Sequence, residues 1–372
     1  MHPWSPALVA AMRTAAGVIA VPRVEAETSF TLHAPLELLA RAGLLPYLDD
    51  DTRALALAGI DRLVADYGAT GTPVAPPAAV EFPDPSAAAA ALDLALRAGD
   101  ADRVDAIACW LAPRIDHAAA RRLLAPLLVD SLAAAGHASI ALHLLPRVAD
   151  GALPIALLRG ALRSIAGEPG WRIDWFHSAA PQATRALSLA EALAAVPLLG
   201  RPGSNFIRPL MTQVQDRGIA ARLLAPALRP GLDLAVAGRT LLRAAAWSML
   251  HDDPDHAPYG WSHCLTMTQA VLTLADDGVP ARTAIAVGAT FVAGFRAAFG
   301  LQTLGSLDDD AAAPDRDTPD EAGLARYAAL HHDAHLVKYT LACFHAAETD
   351  PAWRANYLRA AASLAAWWRT RA

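Results

Sequence analysis

The residues best suited to chemistry lie near the C-terminus, in Leu330-His331-His332-Asp333-Ala334-His335-Leu336-Val337-Lys338-Tyr339. This is the densest histidine cluster of the chain, and Lys338 is its sole lysine among many arginines. A guanidinium stays charged in a protein, whereas an amine can lose its proton, act as a base or be covalently modified. Imidazole is the commonest side-chain ligand of the transition metals and titrates near neutrality. A single amine beside three imidazoles reads as a metal-ligating or acid–base cluster.

At about 100° per residue, His331, His335, Lys338 and His345 fall on one narrow stripe of a helix, with His332 off it and Val337, Leu341 and Phe344 opposite. His137 and His143 lie in an apolar helix, where each imidazole needs a partner. His33 and His263 each sit at or beside an expected helix start next to a polar loop, where a side chain can aim into a cavity or serve as a cap neighbour. Histidines from separate helices that converge on one point make a metal site of helix-bundle type. Glu37 is the carboxylate best placed to orient His33. No GxSxG, Walker loop, GxGxxG after a strand or HExxH is present, nor the paired Glu-x-x-His of di-iron bundles.

The elements that position these residues are helices. Alanine and leucine dominate, β-branched and aromatic residues are sparse, and no segment alternates for long, so the expected fold is all-α. One domain over 1–372 is expected, bundle-like or built of solenoid-like helical pairs. Pro35 predicts a helix starting near it, with His33 just before. A second helix is expected over 51–67, with Leu55, Leu57, Ile60, Leu63 and Val64 as its core face. The proline-rich stretch 71–85 is a strap, and 251–266 a proline-broken polar loop feeding a helix near Trp261. Thr283 to Phe295 reads as a buried core helix too short for a bilayer. The acidic stretch 307–321 reads as a mobile loop.

Hydrophobic residues make up 54% and charged residues 18%, which describes a globular chain. The net charge of −6 and the lack of basic runs exclude a nucleic-acid or membrane-surface footprint. Cys109, Cys264 and Cys343, odd in number and far apart, suggest reduced thiols in a cytoplasmic protein. The opening residues lack a basic leading region, so no signal peptide is expected.

Four fragments together resemble the questin-oxidase-like proteins, helical oxygenases of anthraquinone-type aromatic polyketides. HDAHLVKYTLA (332–342) resembles the family's Asp-x-His-x-x-Lys helix, WSHCLTMTQA (261–270) its His-x-x-Thr segment, and GHASIALHLL (136–145) its His-x-x-Ile stretch. FTLHAPLELLARAG, with His33, is similar to its N-terminal histidine helix. Ala141 departs from the pattern, where the family tends to place another histidine. Some members are Baeyer–Villiger-type oxidases; others are ring-cleaving enzymes whose non-haem iron is held by histidines and a carboxylated lysine.

The resemblance implies iron held by His33, His137, His263, His335 and carboxylated Lys338, with dioxygen and an aromatic or quinone substrate. A base among Glu37, His331 and His332 would deprotonate a phenol. It leaves room for NADPH as reductant and for a homodimer. Two other readings stay open: a divalent-metal hydrolase or isomerase with the same ligands, and a helical scaffold whose histidines are incidental.

Overall fold

A computed structural model describes residues 4–25, 29–148, 153–177, 187–203, 207–228, 231–308 and 319–371. The all-α class is as expected. The only strands among the described residues are two dipeptides, which pair antiparallel. Within the chain the helices gather into two compact units, 1–172 with 277–279 and 173–276 with 280–372. A chain this long exceeds the size at which a single core keeps growing.

The first unit runs α1 (Pro6–Ile19), β1 (Arg23–Val24), α2 (Phe30–Leu44), α3 (Asp50–Ala69), β2 (Thr72–Pro73), α4 (Pro85–Ala98), α5 (Ala101–Leu111), α6 (His117–Leu128), α7 (His137–Leu144) and α8 (Arg159–Gly167). Aspartates start four of these eight helices: Asp49, Asp84, Asp100 and Asp116 each accept a first-turn N–H at 2.7–2.9 Å. Pro85 opens α4 and left-handed Gly99 closes it. The core face of α3 is Thr52, Ala56, Ile60, Leu63 and Tyr67; Leu55, assigned to that face from sequence, is 57% exposed. Capped by Asp49, the helix starts at Asp50, one residue earlier than expected, and the i, i+4 spacing from Thr52 sets the stripe.

Helix α2 begins at Phe30, not near Pro35, which lies inside it. Close to the N-terminus a proline removes only one backbone bond, and ten buried residues along α2 outweigh that loss. His33 is therefore inside the helix. The proline-rich strap, anchored at β2, lines a cavity of about 700 Å³ with Asp102, Asp105 and Arg163.

The second unit holds α9 (Leu189–Ala194), α10 (Ile207–Asp216), α11 (Ala225–Ala227), α12 (Leu234–His251), α13 (Ser262–Leu274), α14 (Ala281–Phe299), α15 (Glu321–Leu330), α16 (Ala334–Thr349) and α17 (Arg354–Arg369). Helix α14 contains the apolar run predicted as a core helix, and every residue from Ala284 to Phe299 is buried. It packs on α10, α12 and α13; α16 packs on α13 and α17. Gly294 lets α10 approach α14, because a β-carbon there would meet Met211 Sδ at 2.6 Å.

The expected polar loop 251–266 is mostly helical. A short 3₁₀ turn, Pro254–His256, and a π-turn, Ala257–Trp261, lead into α13. Asp253 caps the first turn and Trp261 plugs the core, so prolines at early helical positions are accommodated. Among the described residues no helix is long and apolar enough to cross a membrane. Residues 309–318 of the acidic segment lie outside the described residues.

Candidate functional site

The sequence stripe changes once its helix is placed. Asp333 caps α16, its Oδ1 accepting the N–H of His335 at 2.9 Å and of Leu336 at 3.0 Å. His331 and His332 thus precede the helix, and His331 is the C-cap of α15. A strong Asp cap starts α16 after the histidine pair, so the stripe reduces to His335, Lys338 and His345. These three are 7%, 4% and 7% exposed, and α16 is buried from Ala334 to Ala347. This is no solvated face.

His331 is half-buried and His332 exposed, with their rings stacked 4.4 Å apart and His331 5.1 Å from Trp368. His331 Nδ1 accepts the Asp333 N–H at 3.0 Å. Two of the three expected bases therefore flank the entry to α16.

Within this unit His263 and His335 face each other, ring centres 5.0 Å apart and planes 54° apart. His263 Nδ1 lies 3.1 Å from the Tyr259 carbonyl oxygen. A carbonyl only accepts, so Nδ1 carries the proton and Nε2 is the lone-pair nitrogen. His335 Nδ1 lies 3.6 Å from Asp333 Oδ2, an ion-pair distance that favours the same tautomer. Burial pushes the His335 imidazole below its ordinary pKa, against the pull of Asp333. A neutral imidazole is the form a metal takes. An ion about 2.1 Å from a ring nitrogen lies a little over 3 Å from the ring centre, so two such ligands stand about 4.5–5.3 Å apart. The His263–His335 spacing falls in that range.

The first unit holds a second imidazole pair, His33 and His137, with centres 4.6 Å and planes 68° apart. His33 Nδ1 is 2.8 Å from the Ser29 carbonyl oxygen, which again leaves Nε2 as the lone-pair nitrogen. His137 opens α7 directly after three left-handed residues, Ala134 (φ 48°), Ala135 (φ 54°) and Gly136 (φ 76°). His137 and His143 are 2% and 1% exposed. Glu37 is 4% exposed, and its Oε1 accepts Arg41 Nε at 2.8 Å and Nη2 at 2.6 Å. It serves as the counter-ion of Arg41.

Each unit thus places two of the expected ligands in ring contact, and Lys338 follows His335 by one turn of α16. Two residues near the second pair were missing from the sequence list. Asp333 was legible as an acidic residue two positions before His335; Tyr259 was not, because it acts through a π-turn. No protein-family model, curated protein or solved structure matches this chain.

Proposed function

We propose that the chain is a non-haem-iron oxygenase acting on an aromatic or quinone-type, polyketide-like substrate, by ring cleavage or Baeyer–Villiger-type oxidation. The reading assigns His33, His137, His263, His335 and carboxylated Lys338 to the iron, with dioxygen as co-substrate. One observation carries it: His33 and His263 each set Nδ1 against a carbonyl oxygen, at 2.8 and 3.1 Å, which leaves Nε2 as the lone-pair nitrogen, and His335 stands in ring contact with His263. Metal-bound histidines are oriented in this way, their other ring nitrogen donating to a carbonyl or carboxylate. The resemblance of four fragments to the questin-oxidase-like proteins supports the same assignment.

Neutral imidazoles with one anionic oxygen suit ferrous iron. Bound iron would supply the activation of dioxygen that no side chain can provide. Lys338 would bring the anionic oxygen: its neutral amine adds to carbon dioxide, forming the N–C bond and releasing a proton. Burial favours the neutral form of an amine in general, and Lys338 is 4% exposed. Arginine cannot do this. Of the three proposed bases, Glu37 is engaged by Arg41, so His331 and His332 are the better candidates for the phenol proton.

The test is metal analysis of purified protein together with oxygen uptake on aromatic and quinone substrates, with and without NADPH. Iron with substrate-dependent uptake supports the reading. Zinc without uptake favours the hydrolase or isomerase, and absence of any transition metal counts against both enzymes and favours the scaffold. If Lys338→Arg keeps its metal and activity, the modified-lysine assignment fails.

A further inference from the structure

Tyr259 stands apart from the other aromatic residues. It is 54% exposed, whereas every other described Phe, Tyr and Trp is buried or half-buried. A lone exposed tyrosine needs no explanation on a loose loop. This one sits in the middle of a fixed π-turn, a rare local structure that recurs at functional sites. Its neighbours Ala257, Pro258, Gly260, Trp261, Ser262 and His263 are all buried.

The turn is secured from several sides. Trp261 is fully buried and donates through Nε1 to the Asp253 carbonyl at 2.9 Å. Ser262 Oγ donates to the Pro258 carbonyl. Gly260 is packed so closely that a β-carbon there would meet His256 Cβ at 3.2 Å, with Phe299 and Phe295 just beyond. A rigid, buried turn therefore presents one aromatic ring to solvent.

That ring is not aimed at random. Its centre lies 4.9 Å from the His335 ring, edge-on at 85°, while the Tyr259 carbonyl takes His263 Nδ1–H. A ring fixed beside two imidazoles, with open area facing solvent, is a stacking surface for another ring.

We infer that Tyr259 is the docking platform for a planar aromatic substrate beside the His263–His335 pair. The inference rests on the proposed function for what that pair does, and not for whether a ring docks there. It predicts preference for flat aromatic rings over saturated rings of equal size and charge. The phenol oxygen adds little, because the contact is with the ring.

The test measures binding of hydroxynaphthoate, with its fully saturated decahydro analogue as the size- and charge-matched control, to the full metal-free chain by calorimetry. The wild type is expected to bind the planar acid and not the control. Tyr259→Phe should bind within about 2-fold of wild type, and Tyr259→Ala should weaken binding about 3- to 10-fold. Circular dichroism checks that Tyr259→Ala is folded; if it is not, Tyr259→Leu replaces it, filling the volume without a flat face. Equal affinity of the folded non-aromatic variant and wild type overturns the platform, as does absence of preference for the planar acid. Iron and oxygen are absent from this assay. Tyr259-dependent binding in a protein that takes up no metal would therefore sink the oxygenase reading alone, and metal-dependent oxygen uptake indifferent to Tyr259 would sink the platform alone.

Discussion

Asp333 holds His335 in two ways. One carboxylate oxygen caps α16 through the backbone N–H groups of His335 and Leu336, at 2.9 and 3.0 Å; the other lies 3.6 Å from His335 Nδ1. Burial alone would raise the Asp333 carboxyl, but the contacts with His335 and the two N–H groups outweigh it and hold the pKa below its ordinary value. One side chain thus sets the start of the helix and places a carboxylate beside the imidazole.

The two roles separate by mutation. Asp333→Ala loses the cap and should cost about 1 kcal/mol of stability, whereas Asp333→Asn keeps a cap and should cost much less. Both remove the charge behind His335, and in the proposed metal site both should weaken transition-metal binding by about 10- to 100-fold. Urea denaturation and cobalt titration read the two effects. An Asn variant with wild-type metal affinity would reduce Asp333 to a cap.

Much of this was legible in sequence where the signal is local. Alanine-rich periodicity gave the helical class, and the apolar run at 283–295 gave the buried helix α14. Burial of the sole lysine was not readable, because it depends on α13 and α17 packing on α16 from elsewhere in the chain. Helical phase placed His331 on the Lys338 stripe, yet the Asp333 cap starts the helix two residues after His331. Pro35 misled for a similar reason, since packing along α2 overrides one lost hydrogen bond. The π-turn at 257–261 has no sequence signature: Pro254, Pro258 and Gly260 read as a loop, and only the burial of Trp261 makes it a turn. Ring contacts such as His33–His137 join residues about a hundred positions apart, beyond any local pattern.

The turn that delivers His137 makes a second prediction. Ala134 and Ala135 occupy the left-handed region, which costs an L-residue about 1–2 kcal/mol. Glycine escapes that cost but loses about 0.5–1 kcal/mol in chain entropy. Ala135→Gly should therefore stabilise the protein by about 0.5–1 kcal/mol, read by denaturation. A destabilised variant would show that the methyl group contributes packing that exceeds the backbone cost.

His256 carries a pH dependence away from the proposed ligands. Its ring lies flat on Phe299, centres 3.7 Å and planes 10° apart. Burial first, and then Arg201, depresses its pKa against the opposing pull of Asp253 and Asp255. The folded state then binds fewer protons than the unfolded chain, whose imidazole titrates near pH 6.5. The associated stability is present above about pH 6.5 and is lost as pH falls through the lower folded value. His335 is depressed too and adds in the same window. His256→Phe should flatten, without abolishing, the fall in unfolding free energy between about pH 7 and 5. An unchanged slope would mean that His256 is as readily protonated in the folded protein as in the unfolded chain.

The strongest structural prediction concerns Arg243 and Asp350, both buried in the second unit. Arg243 Nε and Nη2 donate to the two Asp350 oxygens, each at 2.7 Å, while Nη1 donates to the Leu307 carbonyl at 2.8 Å. Tyr357 Oη donates to Asp350 Oδ2 at 3.1 Å, and burial and then the carboxylate hold that phenol well above its ordinary pKa, so it remains a donor. The pair links α12 to the end of α16, and Tyr357 brings in α17. Removing one partner leaves a buried, uncompensated charge, so Arg243→Met and Asp350→Leu should each cost about 3–5 kcal/mol. The double variant buries no charge and should cost clearly less than the sum of the two, which a double-mutant cycle in urea measures directly. Additive losses would mean that the two groups are held independently, Arg243 by Leu307 and Asp350 by Tyr357, and that the fork between them contributes little to stability.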